Sequence, residues 1–303
     1  LGGRVVIFAA GARPNVAEAF DLVYGIRQEV TISRHRFAAT ANLAVRREVF
    51  DGRGALLTVG ETPGVTREEA VLFSDSDRGE LDMVFQFEHV SLDHGDESKF
   101  SPRPLEDGAL AASFTRWQDA LAGTGWNSLY LANHDQPRPV SRFGDDAQWW
   151  RESATALATV LHLQRGTPYV YQGEEIGMTN YPFSSIDDVR DVESINHYAE
   201  SIARGAAEDD LLGGIGRIGR DNARTPVQWD SSATGGFTSG TPWIGVNPNT
   251  ATINAEAQYD VPGSVFEHYR ALIRLRHERT VVADGSFRRL DAGADAVFAF
   301  ERR

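Results

Sequence analysis

Two short stretches carry the residues best suited to acid–base chemistry. In Asn133-His134-Asp135-Gln136-Pro137-Arg138, an apolar run from Trp126 to Ala132 turns at once into polar side chains. The period of two along a strand sends neighbours to opposite faces, so His134 and Asp135 can serve one site only where a strand is ending. Glu61 occupies a matching position, between Gly60 and Thr62-Pro63-Gly64, after the apolar run Ala55 to Val59. A carboxyl enclosed at such a turn can act as a general acid. The plainer alternatives are a turn-capping Asp135 and an exposed Glu61. On strands two apart the two carboxyls would face one cavity, and the pairing says more than either residue does singly.

The elements that must position them alternate regularly. Ala55–Val59 reads as a buried strand, and Thr66 opens a helix with Glu69 at capping-box spacing. A strand over 81–87 closes on Glu88-His89. A helix over 114–121 follows, with Trp117 and Leu121 on one face. The run that ends in Asn133-His134-Asp135 is the third strand, and a helix over 147–164 stops at Gly166 and Pro168. Tyr169-Val170-Tyr171 is a last strand, ending in Gln172-Gly173-Glu174-Glu175. Such alternation predicts an α/β fold with a parallel sheet, and strands that stop in polar or glycine-rich turns suit the loop face of a barrel. Residues 178–262 read as one long loop-rich region, Val265–Arg276 as a helix, and Ala296–Phe300 as a strand. At the start, Leu1–Phe8 reads as a buried strand and 41–50 as a helix, with no sustained period between.

Composition narrows the function classes. The 303 residues carry a net charge of −13, so no basic surface exists to displace counterions from nucleic acid, whereas a neutral substrate is compatible. There is no cysteine, which excludes disulfides and thiolate metal sites. No apolar run is long enough for a membrane span and no signal peptide is recognisable, so a cytoplasmic protein without a membrane partner is expected.

Three weaker signals have bland explanations. Gly214-Ile215-Gly216-Arg217-Ile218-Gly219 has the spacing of a dinucleotide loop but lacks the strand and helix that should flank it. His89, Asp93, His94, Asp96 and Glu97 crowd together like metal ligands, yet a solvated loop explains them, and neither a metal nor a cofactor is expected. Trp149, Trp150, Trp229 and Trp243 could stack on a ligand, but core packing is the expectation for each.

Several segments together resemble the α-amylase superfamily of glycoside hydrolases, in its oligo-1,6-glucosidase and α-glucosidase branch. They are Leu57-Thr58-Val59-Gly60-Glu61, Met83 to His89, Trp126 to Tyr130, Asn133 to Arg138, Gly166 to Met178, and Arg220 to Asp230, in the family's order from about residue 44 onward. The resemblance implies the C-terminal half of a (β/α)8 TIM barrel over 48–283 and the start of a C-terminal β domain over 284–303. Residues 1–47 are atypical, a remnant of a barrel strand and helix. It further implies a retaining α-glucosidase that acts on terminal α-1,6 or α-1,4 bonds of short oligosaccharides. Glu61 would be the general acid/base, Asp135 the carboxylate gripping the sugar, and His134 a further hydrogen-bond partner. Arg220 would anchor the non-reducing end, Phe87 would wall the neighbouring subsite, and Arg138 would belong to the substrate-binding set. Gln136-Pro137-Arg138 matches the hydrolases better than the sucrose isomerases.

Two departures stand beside the match. The family's nucleophile is an Asp in Gly-Phe-Arg-x-Asp, and the corresponding Gly2-Gly3-Arg4-Val5-Val6 carries Val6 at that place, which cannot attack an anomeric carbon. The family's first three βα units, its inserted domain, its calcium-type loop and the acidic partner expected for Arg220 have no counterpart. A chain that hydrolyses negligibly is therefore expected, the alternatives being a non-catalytic sugar-binding relative or an isomerase or transglycosylase on the same site.

Overall fold

The computed structural model describes residues 56–294 and 296–303, together with the backbone of 6–9. Expectations for 10–55, including the helix over 41–50, lie outside the described residues, as does the side chain of Val6. The first strand, β1 (Val6–Ala9), lies against β2 (Leu56–Glu61) and runs antiparallel to it, with Val6 opposite Val59.

From β2 onward the pairing is parallel. Glu61 of β2 stands opposite Phe85 of β3 (Met83–Phe85), and Val84 bridges in parallel to Asn127, just before β4 (Ser128–Leu129). β4 in turn pairs with β5 (Thr167–Pro168). The backbone extends this pairing, with Thr167 N donating to Asn127 O at 2.8 Å and Tyr169 N to Leu129 O at 2.7 Å. Gly166 is required where the chain turns into β5. Its φ of 136° suits glycine alone, and a Cβ there would overlap the Asn127 carbonyl.

Helices cover this ribbon because their apolar stripes need a face to bury. Thr66 caps α1 (Arg67–Ser74) in the expected box, its hydroxyl taking the Glu69 amide at 3.2 Å while the Glu69 carboxylate takes the Thr66 amide at 2.9 Å. α2 (Ala109–Ala120) starts earlier than the sequence suggested, and Trp117 packs with Leu121, Ala70 and Val84. α3 (Pro139–Phe143) leads to α4 (Trp150–Leu163), which begins three residues late because the Asp145 carboxylate takes the amides of Ala147 and Trp149 at 2.8 and 3.1 Å. Leu157 and Leu161 of α4 join Phe114, Leu129 and Leu131 in one core. Its opposite side packs on α8 (Val265–Glu278) through Ala154, Ala158, Val265, Tyr269 and Leu272.

Three expectations need correcting. The strands are shorter than predicted: 83–85 replaces 81–87, and 167–168 replaces 169–171. The region 178–262 is not merely loop-rich, since it contains α5 (Val192–Ala203), α6 (Glu208–Ile218) and the short α7 (Asp221–Arg224). The strand expected over 296–300 is displaced to 299–302. After α9 (Thr280–Ala283), β6 (Phe287–Leu290) and β7 (Ala299–Arg302) form an antiparallel hairpin. Arg302 ties it to the rest by donating to the carbonyls of Leu163 and Val282, each at 2.8 Å.

Candidate active site

Because β2, β3, β4 and β5 run in parallel, the segments that leave their carboxyl ends share one edge of the ribbon. Glu61 closes β2 and is half-buried. Its carboxylate adds to burial in pushing the Tyr130 phenol well above its usual range, which sets Glu61 beside the aromatic group behind β3. There Tyr130 donates to the Gln86 carbonyl at 2.7 Å, and its ring meets Phe85, Phe87 and His89 at 5.2, 6.0 and 4.6 Å. Burial holds His89 neutral, its pKa lowered to about 3.

His134 and Asp135 lie beyond β4, in a turn made by Asn133, whose side-chain oxygen takes the Asp135 amide at 2.8 Å. His134 Nε2 is 3.4 Å from Asp135 Oδ2. On the other side Asp135 Oδ1 accepts from Arg224 Nη2 at 2.8 Å and lies 3.8 Å from Arg220 Nε. Arg220 pairs with Glu193 at 2.9 Å, so its acidic partner lies within this chain, contrary to expectation. Glu193 also takes Lys99 Nζ at 2.6 Å. The structure thus brings Asp135, His134 and Arg220 together and adds Arg224, Glu193, Asp191 and Lys99, which sequence reasoning missed. The signal available was the motif holding Arg220, which also contains Arg224.

Arg138 differs from its expected role. It is completely buried, and its guanidinium donates to the carbonyls of Asn222 and Gln172 at 2.9 and 2.7 Å, and to Ala223 O and Thr225 Oγ1 at 3.3 and 3.2 Å. Burial lowers its pKa to about 10. It acts as a strap between the segments after β4 and β5 and α7, not as a group that meets a ligand.

The weaker signals resolve on local grounds. Gly214 to Gly219 ends α6, and Gly214 is glycine because a Cβ would overlap the Phe100 carbonyl oxygen. Asp93 is committed to Arg142, with contacts of 3.0 and 2.6 Å inside the protein. Trp150 packs on the core and donates to Gly177 O at 2.7 Å, whereas Trp149, Trp229 and Trp243 are exposed, against the expectation of core packing.

This parallel edge, with an acid on one strand and a cation-braced acid two strands on, agrees with a match to the family model described as the Alpha amylase, catalytic domain, over residues 28–285. The chain belongs to the α-amylase family. Its sequence falls in the oligo-1,6-glucosidase branch of that glycoside hydrolase family, and its catalytic domain is of the (β/α)8 type. It is 52% identical over 247 residues to an oligo-1,6-glucosidase of Halalkalibacterium halodurans, covering 82% of this chain and 44% of that protein. The crystal structure of Bacillus licheniformis trehalose-6-phosphate hydrolase matches with a TM-score of 0.78 and 40% identity, covering 82% of this chain and 45% of that one. A sucrose complex of an isomaltulose synthase mutant from Erwinia rhapontici matches with a TM-score of 0.80 and 40% identity, covering 85% and 46%. The α-amylase family chain described here spans under half the length of these relatives. Among the described residues no helix is long and apolar enough to cross a membrane.

Proposed function

We propose that this chain is the C-terminal half of a (β/α)8 α-glucosidase domain over 48–283, with the start of a β domain over 284–303. The parent reaction is retaining hydrolysis of terminal α-1,6- or α-1,4-glucosidic bonds in short oligosaccharides. The carrying observation is that Glu61 and the Asp135–Arg220 group leave the same edge of a parallel sheet, on strands two apart. Glu61 serves as acid/base, Asp135 and His134 hold sugar hydroxyls, Arg220 anchors the non-reducing end, and Phe87 walls the adjoining subsite. Arg138 contributes by holding the loops together.

An unphosphorylated sugar suits the charges better than the phosphorylated one that the trehalose-6-phosphate hydrolase takes by its name. Lys99 is paired with Glu193, Arg220 with Glu193, and Arg224 with Asp135, so every cation of this group is already matched by a carboxylate. A phosphate would have to displace one of them.

Valine at position 6 leaves the double displacement without its nucleophile, and the antiparallel β1 supports the same reading, because strands of such a barrel run parallel. The chain therefore binds sugar without hydrolysing it at an appreciable rate, which also makes the sugar-binding relative the favoured alternative. Incubation with isomaltose and with maltose is expected to release negligible glucose, while titration with 1-deoxynojirimycin shows binding. Glucose release at the rate of a full-length relative overturns the first statement, and absence of binding overturns the second. Isomerised or lengthened products would point instead to the isomerase or transglycosylase reading.

A further inference from the structure

We propose that Arg224 is the positioning residue of this site, holding Asp135 by one carboxylate oxygen so that the other is presented to a sugar hydroxyl. The proposal rests on the sugar-binding reading above and gives Arg224 a role which that reading does not assign. Arg224 grips the loop after β4 twice, with Nη2 on Asp135 Oδ1 at 2.8 Å and Nε on the His134 carbonyl at 3.1 Å. A planar fork can take a side chain and the adjoining backbone oxygen together, which a lysine ammonium on a flexible stem cannot. Arg220 does not share the task. Its Nε is 3.8 Å from Asp135 Oδ1, and this buried atom makes no hydrogen bond, while its Nη2 is held by Glu193. The second oxygen of Asp135 faces His134, at 3.4 Å.

What fixes Asp135 must itself be fixed, and Arg224 is. Its Nη1 is 3.5 Å from both Asp191 Oδ1 and Asp221 Oδ1. Asp221 is buried and takes the amides of Arg190 and Asp191 at 2.5 and 2.8 Å. Asp191 in turn caps α5 through the amide and hydroxyl of Ser194, at 3.0 and 2.8 Å. α5 carries Glu193, the partner of Arg220. One guanidinium therefore sets where Asp135 stands relative to the helix that aims Arg220.

The test uses this chain with the substitutions R224A, R224K, R220A, D135N and the double variant R224A/D135N, titrated with 1-deoxynojirimycin. R224A is expected to weaken binding about tenfold or more, as loss of a charge-assisted contact does. R224K should recover only part of it; because R224A also takes a partner from the buried Asp191 and Asp221, binding is compared at a temperature where melting curves show both chains folded. In the D135N background the further loss on removing Arg224 should vanish, because the effect runs through Asp135. An equal loss in both backgrounds, or no loss at all, overturns the proposal. If the unsubstituted chain binds no 1-deoxynojirimycin, the sugar-binding reading has failed but the positioning role is still decided by amide exchange. Exchange over 133–136 that quickens in R224A and not in R220A supports it, and unchanged exchange in R224A overturns it.

Discussion

Replacing Glu174 by glutamine should change how stability depends on pH. Glu174 is buried just after β5, and neither carboxylate oxygen makes a hydrogen bond of ordinary geometry. Burial first, then the neighbouring Glu175, push its carboxyl well above the ordinary value of 4.5, against the opposing pull of Arg138 and the amides of Ala132 and Tyr171. A carboxyl raised in the folded state contributes stability that is complete below 4.5 and is lost as pH rises towards the folded-state value, because the unfolded chain releases the proton first. Each pH unit in that window costs about 1.4 kcal/mol. Glutamine does not titrate, so the stability difference between Glu174→Gln and the unsubstituted chain should widen in favour of the variant by about 1.4 kcal/mol for each pH unit within that window. The amide also brings two donors into a dry site at about 1–3 kcal/mol, but this shifts the curve without tilting it. His89, whose pKa falls from 6.5 to about 3, tilts both proteins the opposite way and cancels in the difference. Urea melts at pH 5, 6 and 7 measure the tilt. Parallel curves for the two proteins would refute the reasoning.

Three further outcomes follow from packing and pairing. Thr66→Ala removes the α1 cap and should cost about 1 kcal/mol, read as a lowered urea midpoint at unchanged slope. Gly214→Ala forces a methyl into the Phe100 carbonyl and should destabilise by about 1–3 kcal/mol. Gly213→Ala in the same helix, with nothing within 4 Å, should be neutral or stabilising by up to about 1 kcal/mol; thermal melts of the pair separate contact from propensity. Arg142→Ala leaves Asp93 as a buried charge without its partner and should cost about 3–5 kcal/mol in denaturant titration, whereas a loss within about 1 kcal/mol would mean that solvent reaches Asp93.

What could be read from the chain was local. The Thr66–Glu69 box and the Trp117–Leu121 face are interactions within one turn, and both stand as read. α6 escaped notice because Gly213, Gly214 and Gly216 are poor helix formers, and Gly214 is set by a distant loop that leaves no local mark. α5 escaped because its apolar residues Val192, Ile195 and Ile202 are exposed among polar neighbours. Glu61, Asp135, His134 and Arg220, the residues proposed for the site, were singled out through motif resemblance, and the edge they share through strand–helix alternation. Arg138 entered the substrate-binding set through its motif, and only tertiary structure reveals that it is wrapped in carbonyls. Arg224 and Glu193 went unseen because their partners lie far along the sequence.

That distance has a consequence for folding. Arg138 to Asn222, Arg224 to Asp135 and Lys99 to Glu193 span 84, 89 and 94 residues. Closing a flexible loop of this size costs about 4 kcal/mol in chain entropy before any contact repays it. The Thr66–Glu69 cap and the Trp117–Leu121 face form within single turns, so these guanidinium and ammonium contacts belong to the slow, late part of assembly. A growing polypeptide holds Glu61 and Asp135 long before α7 has been made, and until then the Arg224 contact that fixes Asp135 cannot form. An ordered site is thus a report that the polypeptide has closed from β2 through α7.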